Sequence, residues 1–477
     1  MVLRKDYPYI LLAVILSILV AMAVSNPSES IGTFALIGLV GIGAVMGIVI
    51  KPSLGAYILI VAVFSNVSSI FTDNGLPGII KPLVAVIFVA IIVRNYHVGQ
   101  IPMDRPMTRL VEISLIAYFM AVAASYLVAT DRNLAFDRII DVGKDIVIIY
   151  CVLFCIRKPE EWKLAATAMV LVTAGVSLLG VYQVATGNTG NDFWGFAGVI
   201  DDRLGGPINE PNMWGQVLVG VIPFVIFGFL RETANRKMFY GIVFVILAIV
   251  LLNTYSRGAY LAFIISVFFI TFFFARSNIW AVSLVAAIVL LALPLLPSRY
   301  VERFQTLSFL STSDQSGIYQ DASLQGRTSE MLTALTMFAE HPLLGVGAAN
   351  YPTNYQKYTQ IIGLEFRSYE REAHSLYLEI LAETGLFGIL SFMGIVFFVF
   401  HMLARIKSQI RNTKYFYEWS NYISAAQVSL VAYLFAAIFL HGSYIRFFWI
   451  FIALSLALTQ ILYEMINNQN YSNRWSK

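Results

Sequence analysis

The sequence predicts an all-α polytopic membrane protein with about 12–14 transmembrane helices, on the basis of its composition and the length of its apolar runs. Of its 477 residues, 58% are hydrophobic and 13% are charged, and the mean hydropathy is +0.74. Soluble proteins carry about 25% charged residues. Apolar runs of about 20 residues recur, each long enough to cross a bilayer core about 30 Å thick. The runs are continuous, which argues against the alternating pattern of a β-barrel.

The apolar runs give fourteen candidate spans. In chain order they cover about residues 8–25, 31–50, 53–71, 78–94, 109–129, 138–156, 162–186, 211–230, 238–253, 258–275, 279–296, 375–404, 421–440 and 444–465. The segment 72–78 is a short turn that is expected either to leave the membrane or to sit within it. Arg4 and Lys5 precede the first run, which lacks a convincing cleavage site, so this run is expected to be a membrane helix and not a signal peptide.

The spans divide the chain into four predicted parts. Residues 1–186 hold N-terminal transmembrane helices, and residues 187–296 hold the helices that carry two arginine motifs. Residues 297–373 form one large extracytoplasmic loop, and residues 374–477 return to transmembrane helices. A loop of that length is expected to be partly helical and functional, because long loops without structure are uncommon.

Within the large loop, the segment 326–330 is expected to start an amphipathic helix that Thr328 or Ser329 caps. The helix is expected to stop at His341-Pro342, and the glycines that follow predict a tight turn. Ser311-Thr312-Ser313-Asp314-Gln315-Ser316-Gly317 is typical of a flexible stretch.

Charge distribution sets the predicted orientation. With the N-terminus in the cytoplasm, the cytoplasmic segments hold 19 Lys and Arg residues and the short outer segments hold 6. The positive-inside rule favours this arrangement. It makes the outer cations notable, and these are Lys81, Arg132, Arg138, Arg203, Arg257 and Arg446. The net charge of +4 is too small to argue for nucleic acid, and Cys151 and Cys155 share one apolar helix as packing residues.

Three motifs at the outer edges of apolar runs carry the predicted chemistry. Arg203 opens Arg-Leu-Gly-Gly-Pro-Ile-Asn-Glu-Pro-Asn, Arg257 lies in Thr-Tyr-Ser-Arg-Gly, and His374 precedes the next long span. Arginine suits phosphate because its fork donates two parallel hydrogen bonds and stays charged. Histidine has an ordinary pKa near 6.5, so it accepts a proton at neutral pH. The set suits a task in which a lipid diphosphate is held while a hydroxyl is activated to attack.

Each of these residues also has a purely structural interpretation. Arg203 is alternatively a loop arginine that faces lipid head groups, and His374 alternatively caps the start of its helix. Arg257 sits between two apolar spans, where a charge is costly without a cavity or a partner. For His341, at a predicted helix end, the dipole interpretation is favoured.

The remaining polar candidates are open between binding and structure. Asn209 and Asn212 either orient sugar hydroxyls or cap the next helix. Arg446 is either a third phosphate contact or an interfacial anchor with Trp449. Asp201-Asp202 is a turn, a base or a cation ligand.

Two groups of acidic residues on predicted helices are interpreted as structural. Asp141, Lys144 and Asp145 are expected to form an ion pair inside the membrane helix. Glu379 and Glu383 point away from His374 on the helical wheel and are expected to pack against neighbouring helices.

Taken in order, the motifs resemble the O-antigen ligase and O-antigen polymerase superfamily of membrane glycosyltransferases. The resemblance rests on Arg203 with Asn209 and Asn212, Ser256-Arg257-Gly258, His341-Pro342 with Gly345-Val346-Gly347, and His374 with Glu383, Gly385 and Gly388. It covers about residues 195–395. The N-terminal helices match in hydrophobicity alone.

The resemblance implies a role for each motif. The donor would be a glycan on undecaprenyl diphosphate, transferred to an acceptor hydroxyl in surface polysaccharide biosynthesis on the outer face of the cytoplasmic membrane. Arg203 and Arg257 would hold the diphosphate and His374 would be the base. Asn209, Asn212, Arg446 and His341 are the candidate substrate-binding residues. No metal, nucleotide sugar or other cofactor is implied, and attack opposite the diphosphate would invert the anomeric centre.

Two other classes compete with this prediction. A multi-helix transporter of a small solute or of a lipid-linked glycan shares the many helices and the intramembrane charges. Against it, the polar residues gather at one face and no midplane site is evident. A carboxylate-based lipid-linked glycosyltransferase would want an acidic motif in the first outer loop, where Glu29 is the one glutamate. Ligase and polymerase are left undecided, as is the acceptor.

Overall fold

The computed structural model describes residues 31–98, 106–231, 234–274, 322–362, 371–440 and 446–475. The predicted spans 8–25 and 279–296 and the predicted flexible stretch 311–317 lie outside these residues. In chain order the helices and strands are α1 Ile31–Ile50, α2 Pro52–Phe64, α3 Val67–Asp73, α4 Ile80–Val98, α5 Arg109–Ser125 followed by a 3₁₀ turn Tyr126–Val128, α6 Arg132–Cys155, α7 Pro159–Thr186, β1 Gly198–Ile200, β2 Arg203–Gly206, α8 Pro211–Arg231, α9 Ala234–Asn253, α10 Arg257–Phe274, α11 Ala322–Glu340, α12 Tyr351–Ile362, α13 Leu376–Ile410, α14 Phe416–Ala436 followed by a 3₁₀ turn Ala437–Phe439, and α15 Arg446–Trp475.

The helices confirm the all-α polytopic prediction. Within the described residues, seven helices are long and apolar enough to cross a membrane, or up to eight if the bent pair α2–α3 is one span. The seven cover Arg109–Val128, Pro159–Thr186, Pro211–Leu230, Asn235–Asn253, Leu376–Ile410, Phe416–Phe439 and Arg446–Asn467. Each agrees with a predicted apolar run to within a few residues, because the length of a run reflects the thickness of the bilayer core.

The predicted span 53–71 is broken into two helices in the structure. Helix α2 ends at Phe64, and α3 starts at Val67 after a bend of 63°. Asn66 lies at the break with φ +51, a left-handed conformation that asparagine adopts more readily than most residues. Its side-chain amide donates to the Pro207 carbonyl (2.9 Å), and its side-chain carbonyl accepts from the Ser69 hydroxyl (2.9 Å).

The helix ends fall into two groups, as alternation of the spans requires. At one end, Lys163 pairs with Glu418, and the Lys407 ammonium donates to the Ser424 hydroxyl (2.6 Å). At the other end, Asp131 caps the start of α6, and its carboxylate accepts from the backbone N–H groups of Asn133 (2.8 Å) and Leu134 (3.3 Å). His374 lies at this second end (the His374 end), with the short β-hairpin and the starts of α8, α10 and α13.

Aromatic side chains form much of the core between the helices. Trp162, Trp214, Trp419 and Trp449 are all fully buried. The indole of Trp162 donates to the Leu454 carbonyl (2.8 Å) and so ties α7 to α15. Cys151 and Cys155 are buried free thiols, as the packing interpretation predicts. This core fixes the helix ends that carry the polar residues.

Candidate functional site

Two helices of the predicted outer loop dock onto a break in helix α13. Gly385 interrupts that helix with φ +62 and ψ −156. The segment after α11 fills the break: the Val346 N–H donates to the Ala382 carbonyl (2.9 Å), the Gly347 N–H to the Glu383 carbonyl (3.0 Å), and the Leu386 N–H to the Pro342 carbonyl (2.8 Å). The exposed backbone of a broken helix is therefore satisfied by the loop.

Both backbones at this junction require glycine. A Cβ atom on Gly345 would lie 2.3 Å from the Glu383 carbonyl carbon, and one on Gly385 would lie 2.4 Å from the Leu343 carbonyl carbon. Gly345 and Gly385 also have positive φ, which L side chains rarely adopt. The predicted glycine turn is thus a docking element for the loop.

The start of α12 is held from both sides. The Glu383 carboxylate accepts from the backbone N–H groups of Ala349 (2.8 Å) and Tyr351 (3.1 Å). The Asn350 side chain accepts from the Asp131 N–H (2.5 Å) and donates to the Asp131 carbonyl (3.0 Å). Glu383 therefore packs against its neighbours and caps a helix, consistent with its predicted structural role, while Asn350 ties the loop to the start of α6.

His374 lies just before α13 and faces a buried carboxylate. Its Nδ1 atom is 3.0 Å from Oε2 of Glu330 and 3.1 Å from the Glu372 carbonyl oxygen. Glu330 is fully buried, and its Oε1 atom is 2.7 Å from Nε of Arg371. His374 has φ +45, a left-handed conformation that is uncommon outside glycine and concentrates at functional sites.

These neighbours decide which ring nitrogen of the neutral histidine carries the proton. Both groups near Nδ1 are hydrogen-bond acceptors, so the neutral ring is expected to hold its hydrogen on Nδ1. The lone pair of the neutral ring then lies on Nε2, the nitrogen at which the ring takes up a proton. The arrangement resembles the role that a buried carboxylate plays for a general-base histidine, where it fixes the tautomer and stabilises the imidazolium.

Charge near His374 raises its pKa. Burial of the ring lowers the pKa, but the hydrogen bond and the negative charge of Glu330 outweigh that effect, and the net pKa is above its ordinary value. Arg327 opposes the increase. Because the net pKa is raised, His374 is a stronger base than a histidine with the ordinary pKa.

Glu330 owes its position to contacts between α11 and α12. The Tyr351 hydroxyl donates to the Glu330 carbonyl (2.7 Å), and the hydroxyls of Ser329 and Tyr355 are 2.9 Å apart. Helix α11 starts at Ala322, earlier than the predicted start at 326–330, and ends at Glu340 as predicted. The earlier start places Ser329 and Glu330 inside the helix, so neither Thr328 nor Ser329 is its cap.

Arg203 connects the β-hairpin to the turn that carries Arg257. Its Nε atom donates to the Thr254 carbonyl (2.9 Å) and its Nη2 atom to Oδ1 of Asn212 (2.8 Å). Asp201 and Asp202, both exposed with positive φ, form the turn between β1 and β2. The turn interpretation is therefore the one observed for this pair, since two left-handed residues are typical of a tight hairpin.

Arg257 is the first residue of α10 and is half-buried. Tyr255, two residues earlier, has φ +49, so the chain reverses sharply between α9 and α10. A Cβ atom on Gly258 would lie 3.1 Å from the Phe439 ring at the end of α14. From that same region, the Leu434 carbonyl accepts from the hydroxyl of Tyr377, the second residue of α13 (2.7 Å). These contacts bring the turns of Arg203 and Arg257 and the start of α13 to one end of the bundle.

The other predicted substrate-binding residues lie in different settings. Asn209 is exposed with φ +57, packed against Gly198 of the hairpin. Asn212 is half-buried, accepting from Arg203 and donating to Oε1 of Glu210 (3.0 Å). The cap interpretation of Asn209 and Asn212 is wrong, because Glu210 accepts from the Met213 N–H (2.6 Å) at the start of α8.

The last two candidates lie away from the His374–Glu330 pair. His341 is exposed directly after the end of α11, consistent with its favoured structural interpretation. Arg446 is exposed at the first turn of α15 and lines a separate pocket with α3 and α6. Residues 441–445, directly before it, lie outside the described residues.

Sequence reasoning missed Glu330 and Arg371. Glu330 is 44 positions before His374 in the chain, and an acidic residue on an amphipathic helix is usually solvated. Its neighbour Ser329 was expected to cap the helix, which would have left Glu330 exposed. The apolar residues of the following turn give no signal for this, because Met331, Leu332 and Leu335 are exposed while Ser329 and Glu330 are buried.

A comparison with known families identifies the segment around His374. Residues 242–393 match the family described as O-antigen ligase. The match confirms the predicted resemblance to the O-antigen ligase and polymerase superfamily. The O-antigen ligase domain includes Arg257, Glu330 and His374, and ends before Arg446. No curated protein matches the chain significantly.

The O-antigen ligase domain determines the broad class of activity. Together with the membrane-spanning helices, it indicates a multi-pass membrane protein that transfers glycans in surface polysaccharide biosynthesis. Enzymes of this family act on lipid-linked glycans. The match covers most of α9, all of α10, helices α11 and α12, and the first half of α13.

Proposed function

We propose that the protein transfers a glycan from undecaprenyl diphosphate to an acceptor hydroxyl on the outer face of the cytoplasmic membrane. The observation that carries this proposal is the His374–Glu330 pair, in which the Glu330 carboxylate and the Glu372 carbonyl beside Nδ1 are both acceptors, so the neutral ring is expected to carry its lone pair on Nε2. It lies in the O-antigen ligase domain, at the same end of the bundle as Arg203 and Arg257.

The proposed reaction begins at the acceptor hydroxyl. His374 Nε2 takes its proton as the oxygen attacks the anomeric carbon of the donor sugar. A new glycosidic C–O bond forms and the C–O bond to the diphosphate breaks, so undecaprenyl diphosphate leaves with the electron pair. Attack from the face opposite the diphosphate inverts the anomeric centre. Glu330 stabilises the imidazolium that forms, as a buried carboxylate does in other general-base sites.

The arginines are proposed to stabilise the departing diphosphate. Negative charge on the leaving group increases as the C–O bond breaks, so fixed cations stabilise the transition state more than the ground state. Arg257 starts α10, where the N-terminal end of the helix also favours an anion. Arg203 is held by the Thr254 carbonyl and Asn212, so it supports the turn of Arg257 as well as adding charge. We propose that transfer requires no metal ion.

A transporter is the second candidate, and one observation favours it. Broken membrane helices such as α2–α3 are frequent at the binding sites of secondary transporters. In a transporter, the glycan would cross the bilayer with its lipid link intact. In a transferase, the link between sugar and diphosphate is broken. The two candidates therefore predict different products from the same substrate.

The test is glycan transfer in proteoliposomes that contain undecaprenyl diphosphate-linked glycan and a candidate acceptor. We expect His374→Ala and Arg257→Ala to be folded and to lose transfer by about 10²-fold or more, the usual size of a general-base or charge-stabilising contribution. Arg132→Gln is the matched control, because Arg132 is an exposed arginine at the same end of the bundle. Full activity in His374→Ala would show that the site is wrong.

A further inference from the structure

Helix α11 turns polar residues inwards and apolar residues outwards, the reverse of a helix on the surface of a soluble protein. Ser329 and Glu330 are buried against the protein. Met331, Leu332 and Leu335 lie within an arc of about 100° on the opposite side of the helix, and each is between 40% and 50% exposed. A helix that borders water turns its apolar stripe to the core and its charged residues outwards. The arrangement of α11 therefore suits a helix whose outer side meets an apolar medium.

The exposed apolar surface continues past the end of α11 to Leu343, which is 56% exposed. We call this surface the outward face of α11, and it consists of Met331, Leu332, Leu335 and Leu343. The neighbouring helix α12 differs, because its exposed residues are Lys357, Gln360 and Ile361, a mixed set that suits contact with water. Apolar exposure in this two-helix segment is thus concentrated on α11. Contiguous exposed apolar residues of this kind mark a contact with protein or with membrane.

The outward face of α11 adjoins the surface of α13 that faces lipid. Helix α13 is one of the membrane-spanning helices, and Leu386, Phe387 and Leu390 are exposed on it. The Leu386 N–H donates to the Pro342 carbonyl (2.8 Å), and the Phe387 N–H donates to the Leu343 carbonyl (3.5 Å). The backbone that carries Leu343 therefore lies directly against the backbone that carries the lipid-facing side chains. This continuity favours lipid as the medium that the outward face meets.

The length of α13 places this contact at the boundary of the bilayer core. Helix α13 has 35 residues and is about 52 Å long at 1.5 Å per residue, whereas the core is about 30 Å thick. Arg405 and Lys407 mark its polar end, opposite to His374. A span of about 20 residues counted back from Arg405 reaches Gly385, the break on which the segment after α11 docks. The end of α11 therefore meets α13 where the acyl chains give way to the head groups.

We propose that α11 is an interfacial helix whose outward face is embedded in the acyl chains of the surrounding lipid leaflet. Such a helix lies in the plane of the membrane, with its apolar side about 5–10 Å into the boundary between head groups and acyl chains. The inward side of α11 carries Glu330, whose Oε2 atom is 3.0 Å from Nδ1 of His374. Lipid thus holds, from outside, the helix that supplies this carboxylate. The inference concerns the location of α11 and does not depend on the proposed function.

The first experiment measures how often a nitroxide spin label on α11 collides with oxygen and with a water-soluble nickel chelate. The full chain is reconstituted in nanodiscs and labelled at one introduced cysteine: Leu335→Cys on α11, Leu390→Cys on α13 or Lys357→Cys on α12. The wild-type chain is the labelling control, because Cys151 and Cys155 are both buried. Oxygen concentrates among acyl chains and the chelate stays in water. The ratio of oxygen to nickel collisions should therefore be several-fold higher for Leu335→Cys than for Lys357→Cys, and similar to that for Leu390→Cys.

Two other results of the labelling experiment would overturn the proposal. A ratio for Leu335→Cys equal to that for Lys357→Cys would show that the outward face of α11 borders water. Few collisions with either probe would show that protein covers this face, either another segment of the same chain or a second copy. Neither result depends on whether the protein transfers glycans, so the proposal and the proposed function are tested separately.

The second experiment tests whether lipid holds α11 in place, by hydrogen–deuterium exchange of its backbone amides in nanodiscs. Leu332→Gln with Leu335→Gln should speed exchange in α11 by about tenfold or more, because burying a leucine side chain in an apolar medium favours the buried state by at least that factor. Leu332→Met with Leu335→Met keeps the apolar character and should retain the slow exchange, as should Lys357→Gln on α12. Unchanged exchange in the glutamine pair, or an equal increase in the methionine pair, would overturn the stabilising role of lipid.

Discussion

Replacing Glu330 by glutamine tests how the protein tunes its base. The substitution keeps the shape of the side chain and removes the charge 3.0 Å from Nδ1 of His374. Because Glu330 raises the pKa of His374, its loss must lower that pKa. An opposite charge at this distance typically shifts a pKa by about 1–3 units. We therefore expect the acidic limb of the pH–rate profile to move at least about 1 unit lower in Glu330→Gln.

The direction of the shift follows from which form of the histidine is active. A general base works as neutral imidazole, so the rate rises as pH increases through the pKa of His374. In the wild-type protein that rise should occur above pH 6.5, the ordinary pKa of histidine. In Glu330→Gln the rise comes earlier, but the plateau should be about 10- to 100-fold lower, because a base with a lower pKa is weaker.

The assay is the initial rate of glycan transfer in proteoliposomes, measured between pH 5 and 9. Glu340→Gln is the matched control, since it removes an exposed carboxylate at the end of the same helix, where the Tyr358 hydroxyl donates to it (2.8 Å). The control should keep the wild-type profile. An acidic limb in Glu330→Gln that coincides with the wild-type limb, or that moves to higher pH, would refute the assigned role of Glu330.

Three further predictions concern the loop, the arginines and metal ions. Gly345→Ala should undock the loop, because its Cβ atom would lie 2.3 Å from the Glu383 carbonyl carbon, and limited proteolysis should then cleave the loop faster. Gly175→Ala is the control and should leave the cleavage rate unchanged, because no atom lies within 4 Å of its Cβ position. Arg203→Lys should reduce transfer by about tenfold, because lysine lacks the planar fork that reaches both the Thr254 carbonyl and Asn212; Arg132→Lys is the control. Transfer should persist in EDTA, and loss that added Mg²⁺ restores would contradict the metal-free proposal.

Much of the membrane fold was predictable from the sequence, for a simple physical reason. A bilayer has no water in its core, so each spanning segment must satisfy its own backbone as a helix and must be apolar for about 20 residues. The starts of α8 at Pro211 and α13 at Leu376 lie at or next to the predicted bounds for this reason. The alternation of charges likewise predicted which helix ends lie together.

The break at Asn66 was not predictable from hydropathy. Residues 53–71 are mostly apolar, and at the break the Asn66 side chain donates to the carbonyl of Pro207, about 140 positions later in the chain. The docking of the loop was unpredictable for the same reason. The need for glycine at positions 345 and 385 arises only where the segment after α11 meets the backbone of α13. Contacts between distant segments leave no periodic pattern in the sequence.

The candidate site was likewise predictable in part, by residue type and not by contacts between distant segments. Next to apolar spans, the arginines Arg203 and Arg257 indicated phosphate binding, and His374 indicated a general base. Which carboxylate faces the base was not visible, because the helical wheel excluded Glu379 and Glu383 but gave no information about the loop. Glu330 became evident only from the docking of α11 beside His374.

The most direct test of the account counts the undecaprenyl diphosphate released by wild-type protein for each glycosidic bond formed. Donor labelled in both the lipid and the glycan is incubated with the proteoliposomes and acceptor, and both products are quantified in one reaction. The account predicts one molecule of free undecaprenyl diphosphate for every glycan transferred. Glycan that crosses the bilayer still attached to its lipid, with no new bond and no released diphosphate, would contradict it and would favour a transporter.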